Sequence, residues 1–237
     1  VYRGDILMVL APLGLLLIPF YRASTKVILA VAAILLAQPL LAFQIISAAT
    51  GATWANAAPH HWGDTGPAFY RDAALGPMLT WNVWQGQSFK WWFFIETGRL
   101  FQILALFLIG LSLGRAGVFD APERFVRQRR RALVALTVVA LLARFGQAPL
   151  AALLPDATAA PMARKLLGNL MGGWFDVSVM GVYVLLIVEA YQGVGRKLLE
   201  RLAPMGRMTL TFYVLQSLIW VPVFYGFGLG AWKWLPQ

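Results

Sequence analysis

The chain of 237 residues is 59% hydrophobic and 13% charged, and its mean hydropathy is +0.67. These values exclude an ordinary water-soluble domain and predict an all-α, polytopic transmembrane helix bundle whose main partner is the lipid bilayer. The formal charge is +10, but the basic residues lie in short connectors beside apolar runs, which is typical of cytoplasmic loops and not of a nucleic-acid interface.

Apolar runs divide the chain and predict about six spanning helices of roughly 20 residues each, within one transmembrane domain of residues 1–237. The second run contains Pro39, which predicts a kink. In lipid, a neighbouring helix is expected to satisfy the carbonyl that such a kink frees. The predicted spans are approximately residues 6–21, 27–46, 100–113, 132–154, 166–191 and 208–225.

A long segment, residues 47–98, separates the second and third predicted spans and is rich in Gly, Pro and aromatic residues. Indole rings favour the headgroup level of a membrane, and loops of this length are usually functional or partly structured. We therefore expect this segment to fold back on the extracytoplasmic surface. Its tryptophans are Trp54, Trp62, Trp81, Trp84, Trp91 and Trp92.

Three connectors rich in Arg and Lys predict the orientation of the chain. The strongest signal is the connector 114–131, which holds six arginines, and the other two are residues 22–26 and 196–207. If the spans alternate, these three connectors lie on one side, which the positive charge assigns to the cytoplasm. Arg164 and Lys165 oppose this rule in the connector near Pro161.

Polar side chains inside the predicted spans form stripes at helical spacing. Asn169, Asp176 and Tyr183 recur every seven residues on the fifth span, and Tyr213 and Gln216 share a face of the sixth. Two interpretations remain open. The stripes are either hydrogen-bonding contacts between helices or the lining of a polar cavity.

Arg144 completes this candidate intramembrane polar site, because it lies near the centre of the fourth span. A guanidinium at that depth costs at least about 2.5 kcal/mol. Arg144 and Asp176 lie at equal depth, about 15 Å from the same membrane face, on helices expected to be antiparallel neighbours. We therefore predict that they pair, although Arg144 bound to backbone carbonyls or a lipid headgroup is the alternative.

The sequence gives no signal for a metal or a cofactor. His60 and His61 are adjacent and have no nearby carboxylate at a ligand spacing. No phosphate-binding loop, dinucleotide fingerprint, nucleophile elbow or HExxH motif occurs. Because the chain has no Cys, disulfides and thiolate sites cannot be argued at all.

Short motifs near the two ends of the chain resemble a known family. They are RGDIL at residues 3–7, GRMTLTFYVLQS at 206–217 and FYGFGLG at 224–230, and LSLGR at 111–115 also fits. Together they resemble the YeiB-like family of bacterial inner-membrane proteins, which carries domain of unknown function 418. The motif positions singled out are Arg3, Asp5, Gly206, Arg207, Gln216 and Ser217.

The resemblance implies an uncharacterised, multi-pass protein of the bacterial inner membrane. The family is sometimes described as containing transporters, and it is distantly similar to membrane acyltransferases. Its usual N-terminal part, with an LDxLRG-like motif, and its C-terminal extension have no counterpart here. We therefore expect this sequence to be a fragment of a longer protein.

Three functional hypotheses follow, and the sequence does not decide between an enzyme and a protein without catalysis. The first is a membrane acyltransferase-like protein that acts on a cell-envelope substrate and whose catalytic base lies upstream. The second is a transporter or channel-like protein, which polar groups at mid-membrane and breaks in the spans favour. The third is a non-catalytic membrane scaffold, whose polar stripes only hold helices together.

Overall fold

The computed structural model describes residues 6–63, 72–156 and 158–234, and all regular secondary structure in these ranges is helical. The predicted all-α class is therefore confirmed. The helices are α1 (Leu7–Leu15), α2 (Thr25–Ala37), α3 (Pro39–Ala49), α4 (Leu75–Trp81), α5 (Gln87–Glu96), α6 (Arg99–Arg115), α7 (Val126–Ala152), α8 (Ala163–Gln192), α9 (Arg196–Arg207) and α10 (Thr209–Phe224).

Three helical stretches within the described residues are long and apolar enough to cross a membrane, namely Thr25–Ala49, Pro122–Ala152 and Ala163–Gln192. The number rises to five if α4 to α6 and the pair α9 and α10 each count as one bent span. The chain is therefore a helical membrane protein with three to five candidate spans within the described residues, and the predicted number of six is not confirmed.

The first predicted span is the clearest difference. Helix α1 has only 9 residues, and the chain continues as a 3₁₀ turn over Ile18–Arg22. At about 1.5 Å per residue, α1 covers less than half of a hydrocarbon core of about 30 Å. Apolar composition was sufficient to predict a span here, but helix length decides whether the segment can cross.

Large apolar side chains are exposed along the longest helices. On α7, Leu142 is 66% exposed and Phe145 is 70% exposed. Such side chains on the surface of a soluble protein would form an aggregation-prone patch. In a bilayer such side chains contact lipid tails. The exposure of apolar side chains on the outward face of α7 is therefore what the apolar composition predicts for a membrane helix.

The chain forms two compact units. The larger comprises Val9–Ala58 and Phe94–Val194, and the smaller comprises Val1–Met8, Pro59–Phe93 and Gly195–Gln237. Two of the four boundaries fall inside α1 and α5, and neither unit is continuous in sequence.

Helix pairs build the core of the larger unit. Helix α2 packs on α6 through small and aliphatic side chains, α3 packs on the first half of α8, and α7 packs along α8. The buried residues at the first two contacts are Ile28, Ala32, Ala105 and Leu108, and Leu41, Ile45, Leu167, Leu170 and Met171.

One end of the larger unit collects most of its basic residues, and two arginines there bind across helices. Arg115, at the end of α6, donates to the carbonyls of Phe20, Tyr21 and Ala23, just before α2. Arg129, in the first turn of α7, binds Glu189 near the end of α8. These contacts bring the predicted cytoplasmic connectors 22–26 and 114–131 to the same end, although the orientation itself stays a prediction.

The smaller unit contains most of the Trp-rich segment predicted to lie on the membrane surface. Within it, α4 continues through a π-helical turn, Asn82–Gly86, into α5. His60 stacks on Trp92 at 4.3 Å between ring centroids, and His61 meets Phe93 edge to face at 5.5 Å. The segment is thus largely helical where the structure describes it, and its predicted place at the membrane surface is not confirmed.

Candidate functional site

The longest apolar stretch near the start of the chain is broken at its middle. Gln38, between α2 and α3, has φ 51° and ψ 57°, the left-handed conformation. Among the described residues it is the one non-glycine position with positive φ, and this conformation costs roughly 1–2 kcal/mol in an L-residue. Sequence analysis expected a kink at Pro39, and the structure places the break one residue earlier.

Trp174 on α8 stabilises this break. The backbone N–H of Gln38 donates back to the Leu35 carbonyl at 3.3 Å, and Pro39 has no backbone N–H. The Leu36 carbonyl instead accepts a hydrogen bond from the indole Nε1 of Trp174 at 2.6 Å. The carbonyl that Pro39 would free in a continuous helix is that of Leu35, and it is satisfied within the chain by Gln38, whereas the neighbouring helix α8 supplies the donor for Leu36.

The Gln38 side chain is buried without a hydrogen bond. The residue is 2% exposed, and neither its Nε2 nor its Oε1 has a hydrogen-bond partner among the residues that the structure describes. The amide lies against Gly98, where a Cβ would come within 2.9 Å of the Gln38 Cδ. Gly98 also has φ 75° and precedes the first residue of α6. Glycine is therefore required here both for the turn and for the close approach.

A second buried glutamine lies one turn further along α6. Gln102 is 6% exposed, and within the described part of the chain its Nε2 also has no hydrogen-bond partner. Its amide lies against Gly173 on α8, where a Cβ would be 3.1 Å from the Gln102 Cδ. A buried amide without partners costs roughly 1–3 kcal/mol. Two such amides lie beside the N-terminal turn of α6.

An ion pair lies beside these amides. Arg99 Nη2, on the first residue of α6, is 3.7 Å from Asp176 Oδ2 on α8, and the two side chains are 53% and 63% exposed. From the ends of α8, a helix of 30 residues, Asp176 lies roughly 20 Å along its length. The ion pair is therefore at mid-span depth.

The predicted pair of Arg144 with Asp176 is wrong. Asp176 binds Arg99, and Arg144 is exposed on α7 with no ion pair or hydrogen bond recorded within the described residues. The α7 residues buried at this level are Ala140 and Ala143. Arg144 lies 8 residues before the end of α7, whereas Asp176 lies 13 residues after the start of α8, so the helix bounds do not support the predicted equal depth. Depth alone would also not fix the rotation of a helix about its axis.

The other candidate residues divide between the two units. On α8, Asn169 is half-buried and Tyr183 is 62% exposed. In the smaller unit, Tyr213 Oη accepts a hydrogen bond from the Ile6 amide at 2.9 Å, and Gln216 is exposed. The polar stripe on α8 and the stripe on α10 thus belong to separate units.

The family-motif residues in the smaller unit have mainly local contacts. The Gly206 carbonyl accepts from the Thr209 hydroxyl at 2.6 Å, and the Ser217 hydroxyl donates to the Tyr213 carbonyl at 3.3 Å. Arg207 is exposed. The remaining motif positions, Arg3 and Asp5, lie outside the described residues, and no group of His, Asp or Glu within the described ranges has metal-ligand geometry.

Sequence analysis missed Gln38, Arg99 and Gln102. A signal existed for the glutamines, because each is a polar residue within an apolar run. It also assigned Arg129 only to a charged connector. The structure buries the Arg129 side chain to 3% exposure, against Glu189 Oε1 at 3.0 Å and the oxygens of Gln192 and Pro122. No sequence pattern distinguishes Arg129 from its exposed neighbour Arg130.

A known family matches the C-terminal half of the chain. The family described as "Protein of unknown function (DUF418)" matches residues 113–236, which is just over half of the chain. Neither the curated proteins nor the solved structures contain a significant match.

Proposed function

We propose a function from one premise: the chain belongs to the DUF418 family, and its larger unit contains a polar cluster at mid-span depth. From this we infer a multi-pass protein of the bacterial inner membrane that transports a small polar solute. The polar cluster is defined here as Gln38, Gly98, Arg99, Gln102, Gly173 and Asp176.

The observation that carries the proposal is the broken stretch Thr25–Ala49. In many transporters the substrate binds near the bilayer midplane at discontinuous helices, whose free backbone groups and helix ends face the substrate. Here the break at Gln38 meets the start of α6 at Gly98, and both ends are surrounded by protein. Irregular backbone at this depth is tolerated only where protein or a wet site surrounds it.

The exposed ion pair gives independent support. Arg99 and Asp176 are each more than half exposed in a helix layer whose other exposed residues are mostly apolar. A guanidinium or a carboxylate in contact with lipid tails costs several kcal/mol. This side of α6 and α8 must therefore face water or polar protein groups in the membrane, as a solute pathway requires.

Transport can be tested with purified protein in proteoliposomes. Light scattering measures vesicle swelling for a set of small solutes comprising glycerol, lactate and alanine, with protein-free vesicles as the baseline. We expect flux of at least one solute to depend on the wild-type protein and to fall in a Gln102→Leu variant. A Gln147→Leu variant is the matched control, because Gln147 is an exposed glutamine on α7.

Fluxes equal to those of protein-free vesicles for every solute would overturn the transport proposal. Arg144→Ala belongs in the same series, because Arg144 remains a predicted site residue with no partner recorded in the described part of the chain. If the protein instead acylates a cell-envelope component, and loses that activity in Gln102→Leu, the acyltransferase-like hypothesis replaces transport. If the protein shows no flux and no acylation, the scaffold hypothesis remains.

A further inference from the structure

We propose that helix α9 lies along the membrane surface and binds anionic phospholipids through its basic face. Helix α9, Arg196–Arg207, belongs to the smaller unit, whereas the polar cluster belongs to the larger one. The inference therefore concerns a second surface of the protein and does not depend on transport. Four features identify the lipid partner: the two faces of α9, the exposure of its apolar face, its connection to α10 and its charge.

The side chains of α9 divide into an apolar face and a charged face. At about 3.6 residues per turn, all of its charged side chains fall within an arc of roughly 140°, and its large apolar side chains fall outside that arc. A helix with two such faces, and with basic residues on the polar one, is typical of a membrane interface. The charged residues are Arg196, Lys197, Glu200, Arg201 and Arg207, and the apolar ones are Leu198, Leu199, Leu202 and Met205.

The apolar face of α9 is exposed. Leu198 is 63% exposed and Met205 is 58% exposed, with Leu202 between them also exposed. Among the described helices, α9 packs mainly against the start of α10. Water is a poor environment for such a face, and insertion at the boundary between headgroups and acyl chains removes it from water.

Helix α10 places α9 at the membrane surface. Its sequence, Thr209–Phe224, contains no charged residue, and exposed apolar side chains surround it on all sides, as expected for a helix in lipid. At about 1.5 Å per residue, α10 extends about 24 Å, which is most of a hydrocarbon core of about 30 Å. The chain therefore reaches the headgroup level near Met208, where α9 ends.

The junction between the two helices turns α9 away from the direction of α10 by 58°. Hydrogen bonds fix this turn: the Met208 N–H donates to the Met205 carbonyl at 3.1 Å, and the Thr209 hydroxyl donates to the Gly206 carbonyl at 2.6 Å. If α10 is tilted by roughly 30°, which is within the usual range, this bend brings α9 close to the membrane plane. Continuing the span through α9 would instead place its charged side chains in hydrocarbon, which is costly.

The charged face favours anionic headgroups. Arg196 Nε pairs with Glu200 Oε1 at 2.8 Å, so these two charges offset each other. The remaining basic residues, Lys197, Arg201 and Arg207, give α9 a net positive charge. Basic residues beside a membrane attract anionic lipids, which are the source of the negative surface potential of the cytoplasmic leaflet. The same connector is predicted to be cytoplasmic from its charge.

Fluorescent probes on opposite faces of α9 test its position. Because the chain has no native Cys, Leu202→Cys and Glu200→Cys can each be labelled with NBD in the protein reconstituted in nanodiscs of phosphatidylcholine and phosphatidylglycerol. We expect blue-shifted emission from the Leu202→Cys probe, with stronger quenching by a doxyl group near the lipid headgroup than by one deep in the acyl chain. The Glu200→Cys probe should emit as in water. Leu218→Cys on α10 is the reference for hydrocarbon and should be quenched more by the deep doxyl group.

Lipid selectivity at α9 tests the basic face. Quenching of the Leu202→Cys probe by doxyl-labelled phosphatidylglycerol, relative to doxyl-labelled phosphatidylcholine, measures the local enrichment of anionic lipid. We expect phosphatidylglycerol to associate about fivefold more strongly, and this preference to be lost when Lys197→Gln, Arg201→Gln and Arg207→Gln are combined.

Two controls accompany the triple variant. Arg196→Gln combined with Glu200→Gln changes two side chains of α9 without changing its net charge, so the preference should remain. Raising NaCl from about 0.1 M to about 1 M should remove most of the preference without any change of a charged side chain, because the Debye length falls from about 10 Å to about 3 Å. The salt series therefore tests the charge effect even if the triple variant fails to fold.

The proposal is overturned if the Leu202→Cys probe emits as in water. It is also overturned if that probe is blue-shifted but neither lipid quenches it, because protein, such as a second copy of the chain, would then cover the apolar face. Deep quenching of both the Leu202→Cys and Glu200→Cys probes would show that α9 continues the span of α10. Equal association of the two lipids, or a preference that persists at high salt and in the triple variant, refutes binding of anionic lipid by the basic face. None of these measurements involves solute flux, so the transport proposal stands or falls separately.

Discussion

Arg129 offers the sharpest test of packing in the larger unit, because its neighbour Arg130 has the same charge on the same helix but is exposed. The Arg129 side chain is 3% exposed and its Nη2 and Nε lie 3.0 and 3.3 Å from Glu189 Oε1. Further donors reach Gln192 and the Pro122 carbonyl. Arg129 therefore joins the first turn of α7 to the last turns of α8.

Removing one partner of a buried ion pair costs roughly 3–5 kcal/mol. The Glu189 side chain is 33% exposed, so it regains some hydration when Arg129 is lost, which places the expected loss at the lower end, about 3 kcal/mol. Arg129→Lys should recover only part of this, since an ammonium cannot reproduce the planar fork that reaches three acceptors. Arg130→Ala should change the free energy of unfolding by about 0.5 kcal/mol or less.

Reversible unfolding by SDS in mixed micelles, followed by far-UV circular dichroism, measures these differences. The double variant Arg129→Ala with Glu189→Ala should lose less than the sum of the single variants, because the partners contact each other directly. Equal losses for Arg129→Ala and Arg130→Ala would refute the buried contact. Strictly additive losses in the double variant would show that the two side chains do not interact.

Two further predictions concern the polar cluster and the orientation. Gly173→Ala should destabilise the protein by about 2 kcal/mol, because the new methyl group would overlap the Gln102 amide. The adjacent Gly172→Ala is the control: a Cβ there meets nothing within 4 Å, so this variant should be neutral or stabilising by up to about 1 kcal/mol. The same SDS titration measures both variants, and equal effects on the free energy of unfolding would contradict the contact between Gly173 and Gln102. An impermeant maleimide added to intact cells should label Thr53→Cys and not Gln128→Cys, since the chain has no native Cys and positive connectors face the cytoplasm; the reverse pattern would invert the orientation.

The candidate site shows how far sequence reasoning reaches. The stripe Asn169, Asp176 and Tyr183 predicted a polar face on one long helix, and that helix exists as α8, Ala163–Gln192. The place of Asp176 near the middle of that helix also followed from the sequence. Its partner did not, because Arg144 and Arg99 both belong to helices that neighbour α8, and only the packing of these helices places one guanidinium beside the carboxylate and leaves the other exposed.

The glutamines illustrate a different limit. Gln38 and Gln102 were visible as polar residues in apolar runs, but their meaning depends on Gly98 and Gly173, which lie 60 and 71 positions away in the sequence. Close approach of an amide to a glycine is a property of two packed helices. Local patterns in a single sequence therefore cannot predict this approach.

By itself, the sequence determined the class of solvent and therefore the class of fold. Long apolar runs with few charges require lipid, and backbone groups in lipid must be satisfied within helices. Tertiary structure alone decided which runs are long enough to cross, that Gln38 leaves the helix in a left-handed conformation, and that Arg129 is buried beside Glu189 while Arg130 is exposed. The physical reason is that hydropathy and helix rise act along the chain, whereas helix rotation, close packing and ion pairing depend on the neighbours that only the folded bundle supplies.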